Sequence, residues 1–176
     1  MNAIELLEDQ HQHIRSLMSL VGEAETEQVR KRAFDQLREL IAVHETAEEI
    51  VIRPVTRRAF PGGEQVADAR MAEENEGKSV LAELEKLDVT DPAFAKTFAE
   101  FRAAVEEHAQ HEEQLEFRAL RDHVDGESLD KMGQRIQQAE AAAPTHPHPA
   151  AKTTATNALL GPFASIADRI RDALAS

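Results

Sequence analysis

The sequence contains no cysteine, no tyrosine and no tryptophan. Without cysteine there are no disulfides, thiolate nucleophiles, iron–sulfur clusters or zinc ribbons, so any metal must be held by histidine and carboxylate. With phenylalanine as the sole aromatic of its class, at 7 residues, the chain also lacks stacking platforms for bases or sugars. Basic residues are scarce: 20 Lys+Arg face 33 Asp+Glu, for a net charge of −13. Such a balance repels phosphate backbones and anionic headgroups, so neither nucleic acid nor a membrane surface is an expected partner. No stretch approaches the ~20 apolar residues of a membrane span, and the opening MNAIELLEDQHQH has no basic segment followed by an apolar run. The expected location is the cytoplasm.

What is present is helical. The 176 residues suit one domain, or one domain with an appendage. Long stretches rich in Ala, Glu, Leu, Arg and Gln are punctuated by a few Gly and Pro, and strand signals are missing. The pattern predicts helices over about 2–22, 27–59, 64–87 and 92–123, with a shorter one over 127–142. Gly22, Pro61-Gly62-Gly63 and Asp125-Gly126 mark the stops, and Thr90-Asp91-Pro92 supplies a cap followed by a first-turn proline. The proline-rich stretch 143–157 reads as a linker, its His146 and His148 as a solvated pair. Residues 158–176 carry Phe163, Ile166, Ile170 and Leu174 at helical spacing, which predicts an amphipathic helix docked on the preceding domain, 1–142.

The chemistry lies in the helix seams. In the second helix Phe34, Leu37, Ile41, His44, Glu48, Val51 and Val55 recur in steps of three and four, the face that a bundle buries. The fourth repeats the pattern with Phe94, Phe98, Phe101, Val105, His108, Glu112, Leu115 and Ala119. The first contributes His11 among Ile4, Leu7, Ile14, Met18 and Val21. The third offers Glu74 between Met71 and Leu81, with Glu73 and Glu76 as alternatives if the register shifts. Three histidines and three carboxylates thus share one layer of an apolar interior, with no seam lysine or arginine that clearly pairs with them. Burying unpaired carboxylates costs several kcal/mol each. Bound cations would remove that cost. Residues i and i+4 share a helix face, so each HxxxE pair can grip an ion or let its carboxylate bridge two. Six such donors are too many for one tetrahedral zinc and too rich in nitrogen for calcium or magnesium. Two six-coordinate iron ions bridged by carboxylate suit them best, with manganese next. His13 falls on the outer face of its helix, and His111 reaches only the edge of the layer. Glu49 and Glu113 read as solvated or as neighbours of ligands, and the His123/Glu127 match is broken by Gly126.

His11, the pairs His44xxxGlu48 and His108xxxGlu112, a third-helix ligand, and the trailing Glu49 and Pro54 together resemble the haemerythrin-like (HHE cation-binding) family, over about residues 1–140. Gly161-Pro162 followed by DRIRDAL is similar to C-termini attached to such domains in actinobacteria. The resemblance implies an all-α, up-down-up-down four-helix bundle with additional C-terminal helices. It also implies two non-haem iron ions, oxo- or hydroxo-bridged: one on His11 and His44, the other on Glu74 and His108, with Glu48 and Glu112 bridging. No catalytic residue beyond the metal ligands is implied. Oxygen-carrying members place two histidines four apart in the third helix, where this chain has Glu74 and Lys78, with Gly77 one step earlier; the proline after the fourth-helix motif is Arg118 here. Ligation poorer in nitrogen favours turnover over reversible carriage. The expected partner is therefore a small diatomic molecule or peroxide, with catalase-like breakdown of peroxide as the leading activity. Sensing of dioxygen, nitric oxide or iron without turnover is the alternative, and a metal-free helical adaptor the remote one. The expected state is a monomer or weak dimer, and no protein partner is identified.

Overall fold

The computed structural model describes residues 1–142 together with Asp168 and Asp172. The linker expected over 143–157 and, but for Asp168 and Asp172, the docked helix expected over 158–176 lie outside the described residues. Four long helical segments form an all-α bundle whose consecutive members are neighbours. Helix α1 (Ala3–Glu23) is started by Asn2, whose side chain accepts the Ile4 and Glu5 amides while the Glu5 carboxylate accepts the Asn2 amide. Helix α2 (Glu27–Ala47) is capped by Thr26. A turn of π-helix over Glu48–Ile52 joins it to α3 (Arg53–Ala59). Helix α4 (Gly63–Leu84) returns along α3, and α5 (Pro92–His111) runs back against α4. A second π-turn, Glu112–Glu116, leads into α6 (Phe117–His123), and α7 (Gly126–Ala142) lies across α1 and α2. Among the described residues no helix is long and apolar enough to cross a membrane.

The tight reversal from α3 to α4 needs its glycines. Gly62 has φ +86, a left-handed conformation that side chains resist, and a Cβ on Gly63 would stand 2.0 Å from the Thr56 carbonyl oxygen. At the start of α5, Asp91 accepts the Ala93 amide at 2.7 Å, and Pro92 sits where a helix has no use for an amide hydrogen.

The two π-turns correct the expectation of unbroken seams over 27–59 and 92–123. In each, a backbone amide bonds five residues back: Arg53 to the Glu48 carbonyl, Phe117 to the Glu112 carbonyl. One extra residue per turn rotates everything that follows by about 100°. Leu115, expected in the core, is therefore 55% exposed, while Glu116 and Phe117 are fully buried. Likewise Arg53 and Thr56 turn inward, and Val55 is only partly buried. Two apolar clusters result. One gathers Met18, Phe34, Leu37, Leu81, Phe94 and Phe101; the other gathers Ile4, Leu7, Ile52, Phe117, Leu120 and Ile136, with α7 as its lid. Between them along α1, flanked by Leu7 and Ile14, sits His11.

Candidate metal centre

All six expected donors meet in that middle layer. His11 is 2% exposed, His44 3%, Glu74 2%, His108 9%, and Glu48 and Glu112 are wholly enclosed. Their donor atoms fall into two sets, His11, His44, Glu48 and Glu112, and Glu48, Glu74, His108 and Glu112; within each set the atoms lie within 4.8 Å of one another. Glu48 and Glu112 belong to both. Of the third-helix alternatives, Glu76 is exposed and Glu73 is partly buried and engaged elsewhere, leaving Glu74 in the layer.

The imidazoles are oriented from behind. His11 donates from Nδ1 to Glu113 at 2.8 Å, His44 from Nδ1 to the Gln10 side-chain oxygen at 2.7 Å, and His108 from Nδ1 to Glu73 at 2.9 Å. Each Nε2 consequently faces the centre. The Nε2 atoms of His11 and His44 stand 3.1 Å apart, and that of His108 is 3.2 Å from Glu112 Oε1. Outer hydrogen bonds that fix ring orientation and leave the other nitrogen's lone pair directed inward are how metal-binding histidines are held. These supports are themselves tethered: Gln10 donates to Glu140 on α7, and Glu113 accepts from Arg15. Glu113 thus turns out to support His11. Glu49 accepts a 2.7 Å hydrogen bond from Lys78, and His13 is exposed. His111 donates to Glu73 from the rim of the layer.

The electrostatics show a layer with too much negative charge. Burial, reinforced by the facing Glu112, pushes the Glu48 carboxyl well above its ordinary range. Burial opposes ionisation of Glu112 too, but His108 and Arg53 beside it hold that carboxyl well below the usual values. His108, though desolvated, is raised to about 11 by Glu112 and by its hydrogen bonds, whereas burial and the nearby His11 push His44 well down, leaving it neutral. On the flank, burial lifts Glu45 to about 8 despite Lys78.

Sequence reasoning missed the cation that answers part of this charge. Arg53 is 2% exposed and spreads its guanidinium over Glu48 (3.3 Å), Glu74 (2.7 Å), Glu112 and Glu116 (2.6 Å). Glu116, also missed, accepts from the Thr56 hydroxyl as well. The expectation that no seam arginine pairs with the carboxylates is thus corrected, and the π-turn is the reason: steps of three and four from Glu48 skip residue 53. A usable signal existed in the near repeat of HETAEEIVIR and HAQHEEQLEF, which sets Arg53 and Phe117 at matching positions. Phe117 stacks on His11, with ring centroids 5.7 Å apart.

Arg53 does not satisfy the layer. Glu48 Oε1 is buried without a hydrogen-bond partner, and Glu112 Oε2 and His108 Nε2 meet only poorly aligned ion-pair partners, His11 Nε2 and Glu112 Oε1, each at 3.2 Å. An orphan such as Glu48 Oε1 costs about 1–3 kcal/mol. Inward-facing nitrogens, carboxylate oxygens without well-aligned partners and two sets sharing two carboxylates fit a bound metal cation, and the donor mix of imidazole and carboxylate suits a first-row transition metal. A cavity opens beside the layer, bounded by Ile14, Met18, Ile41, Gly77 and Val105 with His11, His44 and His108 at its floor. A side chain on Gly77 would meet no atom within 4 Å, so this opening lies where a longer third-helix residue would otherwise intrude. Lys78 lies among three carboxylates, 2.7 Å from Glu49, 3.4 Å from Glu45 and 3.5 Å from Glu74.

The model of the hemerythrin HHE cation binding domain matches residues 2–120. Among solved structures, an HHE cation binding domain-containing protein from Mycobacterium kansasii shares the fold, with a TM-score of 0.69 at 22% identity over 78% of this chain and 83% of that one. No curated protein matches the chain.

Proposed function

Since the chain belongs to the hemerythrin HHE cation-binding family, we propose that its buried layer holds a pair of non-haem iron ions that react with dioxygen or hydrogen peroxide. The observation that carries this reading is the triple orientation of His11, His44 and His108, each tied outward through Nδ1 with Nε2 turned in toward the other donors. In this reading His11 and His44 hold one ion, Glu74 and His108 the other, and Glu48 and Glu112 serve both. Manganese is the second choice. Iron supplies the redox chemistry that turns two molecules of hydrogen peroxide into two of water and one of dioxygen.

The chain's own residues account for access and enclosure. The opening beside Gly77 is lined by the apolar Ile14, Met18, Ile41 and Val105 and by the charged Arg15, Glu45, Glu73 and Glu106, and gives a small molecule a way to the layer. The two apolar clusters exclude bulk water above and below the layer. With three nitrogens among six donors, the site favours oxidised iron, which supports turnover over reversible carriage. A metal-free adaptor is disfavoured by the orphaned Glu48 Oε1 and the poorly aligned partners of Glu112 Oε2 and His108 Nε2. The test is dioxygen evolution from hydrogen peroxide by the iron-loaded chain, measured against the same iron free in solution and against His44→Ala. Evolution well above free iron, lost in the variant, is the expected result. Iron retention without evolution removes the enzyme and leaves a binding or sensing module; no retention removes the metal reading.

A further inference from the structure

Arg53 reaches into the second donor set. Its Nη2 lies 2.7 Å from Glu74 Oε1 and 3.3 Å from Glu48 Oε2 and contacts Glu112 Oε1. Those three carboxylates are the ones that, with His108, form the oxygen-rich set. The histidine-rich set shares Glu48 and Glu112 with it, but Glu74, bonded by both Nε and Nη2, belongs to the oxygen-rich set, and no contact joins Arg53 to His11 or His44, which face Glu112 and each other. A guanidinium nitrogen among three carboxylates takes the place and part of the charge of a metal ion. A divalent ion drawn to the same oxygens would stand within van der Waals contact of that nitrogen and repel its charge across a dry interior. Both cannot occupy the set at once.

Arg53 also has somewhere to go. Its Nη1 is held at 2.6 Å by Glu116, a fully buried carboxylate that takes no part in either donor set and is itself bonded by Thr56. Withdrawal has to free both Nη2, from Glu48, Glu74 and Glu112, and Nε, which donates to Glu74 Oε1 at 3.2 Å, while Nη1 keeps its partner. The arginine therefore need not leave the protein interior, where exposing or stranding it would be prohibitive.

We propose that Arg53 is an internal competitor for the second metal position: the set of His11, His44, Glu48 and Glu112 fills first, and the set containing Glu74 and His108 fills only when Arg53 withdraws onto Glu116. This rests on the two-ion reading above. At low metal supply the chain would carry one ion and one guanidinium, and the complete pair would assemble only where iron is abundant.

Ferrous iron, titrated anaerobically into the full-length metal-stripped chain and followed by calorimetry with metal analysis after gel filtration, tests the order of loading. The expected result is two steps whose dissociation constants differ by at least 100-fold. In the double variant Arg53→Gln/Glu116→Gln, which removes the competitor together with its resting partner, the second step should tighten at least tenfold, and by more than the first, which shares only Glu48 and Glu112 with the guanidinium. Should that variant not fold, crystals of the wild-type chain grown at one and at two iron equivalents answer the question: Arg53 Nη2 should remain among the carboxylates in the first and lie away from them in the second. Two equal steps in the wild type, a second step indifferent to the substitutions, or an Arg53 unmoved beside a filled second position would overturn the proposal and leave the two-ion reading standing. Retention of a single ion at any iron concentration, in both proteins, would overturn the two-ion reading as well. Retention of none would overturn metal binding itself.

Discussion

The segments His44–Arg53 and His108–Phe117 use one device twice and finish it differently. Each places a histidine and, four residues later, a glutamate on the inner face, then inserts a π-turn beginning at that glutamate. The residue that closes the turn is rotated into the layer. In the first segment it is Arg53, which spreads over the carboxylates of the oxygen-rich set; in the second it is Phe117, which stacks on His11 beside the nitrogen-rich set. The backbone thus repeats while the chemistry diverges. One half of the layer is closed by a positive charge, the other by an aromatic ring that contributes packing and excludes water. A site that is nearly symmetric in its donors is made asymmetric by these two residues.

Two substitutions break this comparison most severely. Arg53→Met leaves Glu74, Glu112 and Glu116 without their shared cation, and in metal-free protein it should cost about 3–5 kcal/mol. Phe117→Ala empties a fully buried aromatic position and should cost a similar ~3–5 kcal/mol. What separates them is iron: thermal unfolding with and without ferrous iron should show substantial recovery for Arg53→Met, where a second ion replaces the lost charge, and no greater recovery than wild type for Phe117→Ala. Equal responses would mean that Arg53 acts as packing alone.

A milder test concerns the support behind one histidine. Gln10→Leu removes the acceptor for His44 Nδ1 and the link to Glu140. The expected loss is about 10–100-fold in affinity for the first ion, read by competition with a chelator, with the second step changing less. An unchanged first step would show that packing alone holds the imidazole. Least consequential should be Leu115→Lys, at the position that the π-turn swings outward, where unfolding free energy should change by no more than about 0.5 kcal/mol. A loss of several kcal/mol would place Leu115 back in the core and remove the π-turn.

Leu115 also marks the limit of what could be read before folding. The helices, their order and the bundle followed from apolar spacing and from punctuation such as Pro61-Gly62-Gly63 and Asp91-Pro92, because burial of one face per helix dominates the energetics. The meeting of His11, His44, Glu48, Glu74, His108 and Glu112 was also visible, since up to each glutamate the helical period is regular. Beyond Glu48 and Glu112 the period changes by one residue; Val51 keeps its expected place in the core, but Leu115 and Val55 lost core positions that Glu116, Phe117, Arg53 and Thr56 took. No local propensity signals such a turn. It persists because it turns Arg53 and Phe117 onto the layer, a gain set by tertiary contacts. Among the supports, Gln10 was hidden, Glu113 was legible only as a solvated residue or a neighbour of ligands and Glu73 only as an alternative ligand, since polar residues beside ligands look like ordinary surface until the helices are docked.

The central claim is that this charged layer is tolerable because it binds metal. Anomalous diffraction at the iron edge from crystals of the iron-loaded chain tests it most directly. A strong peak within bonding distance of the Nε2 atoms of both His11 and His44, with Glu48 and Glu112 turned toward it, is the expected result. A layer without any peak, its histidines and carboxylates meeting only one another and Arg53, would contradict it.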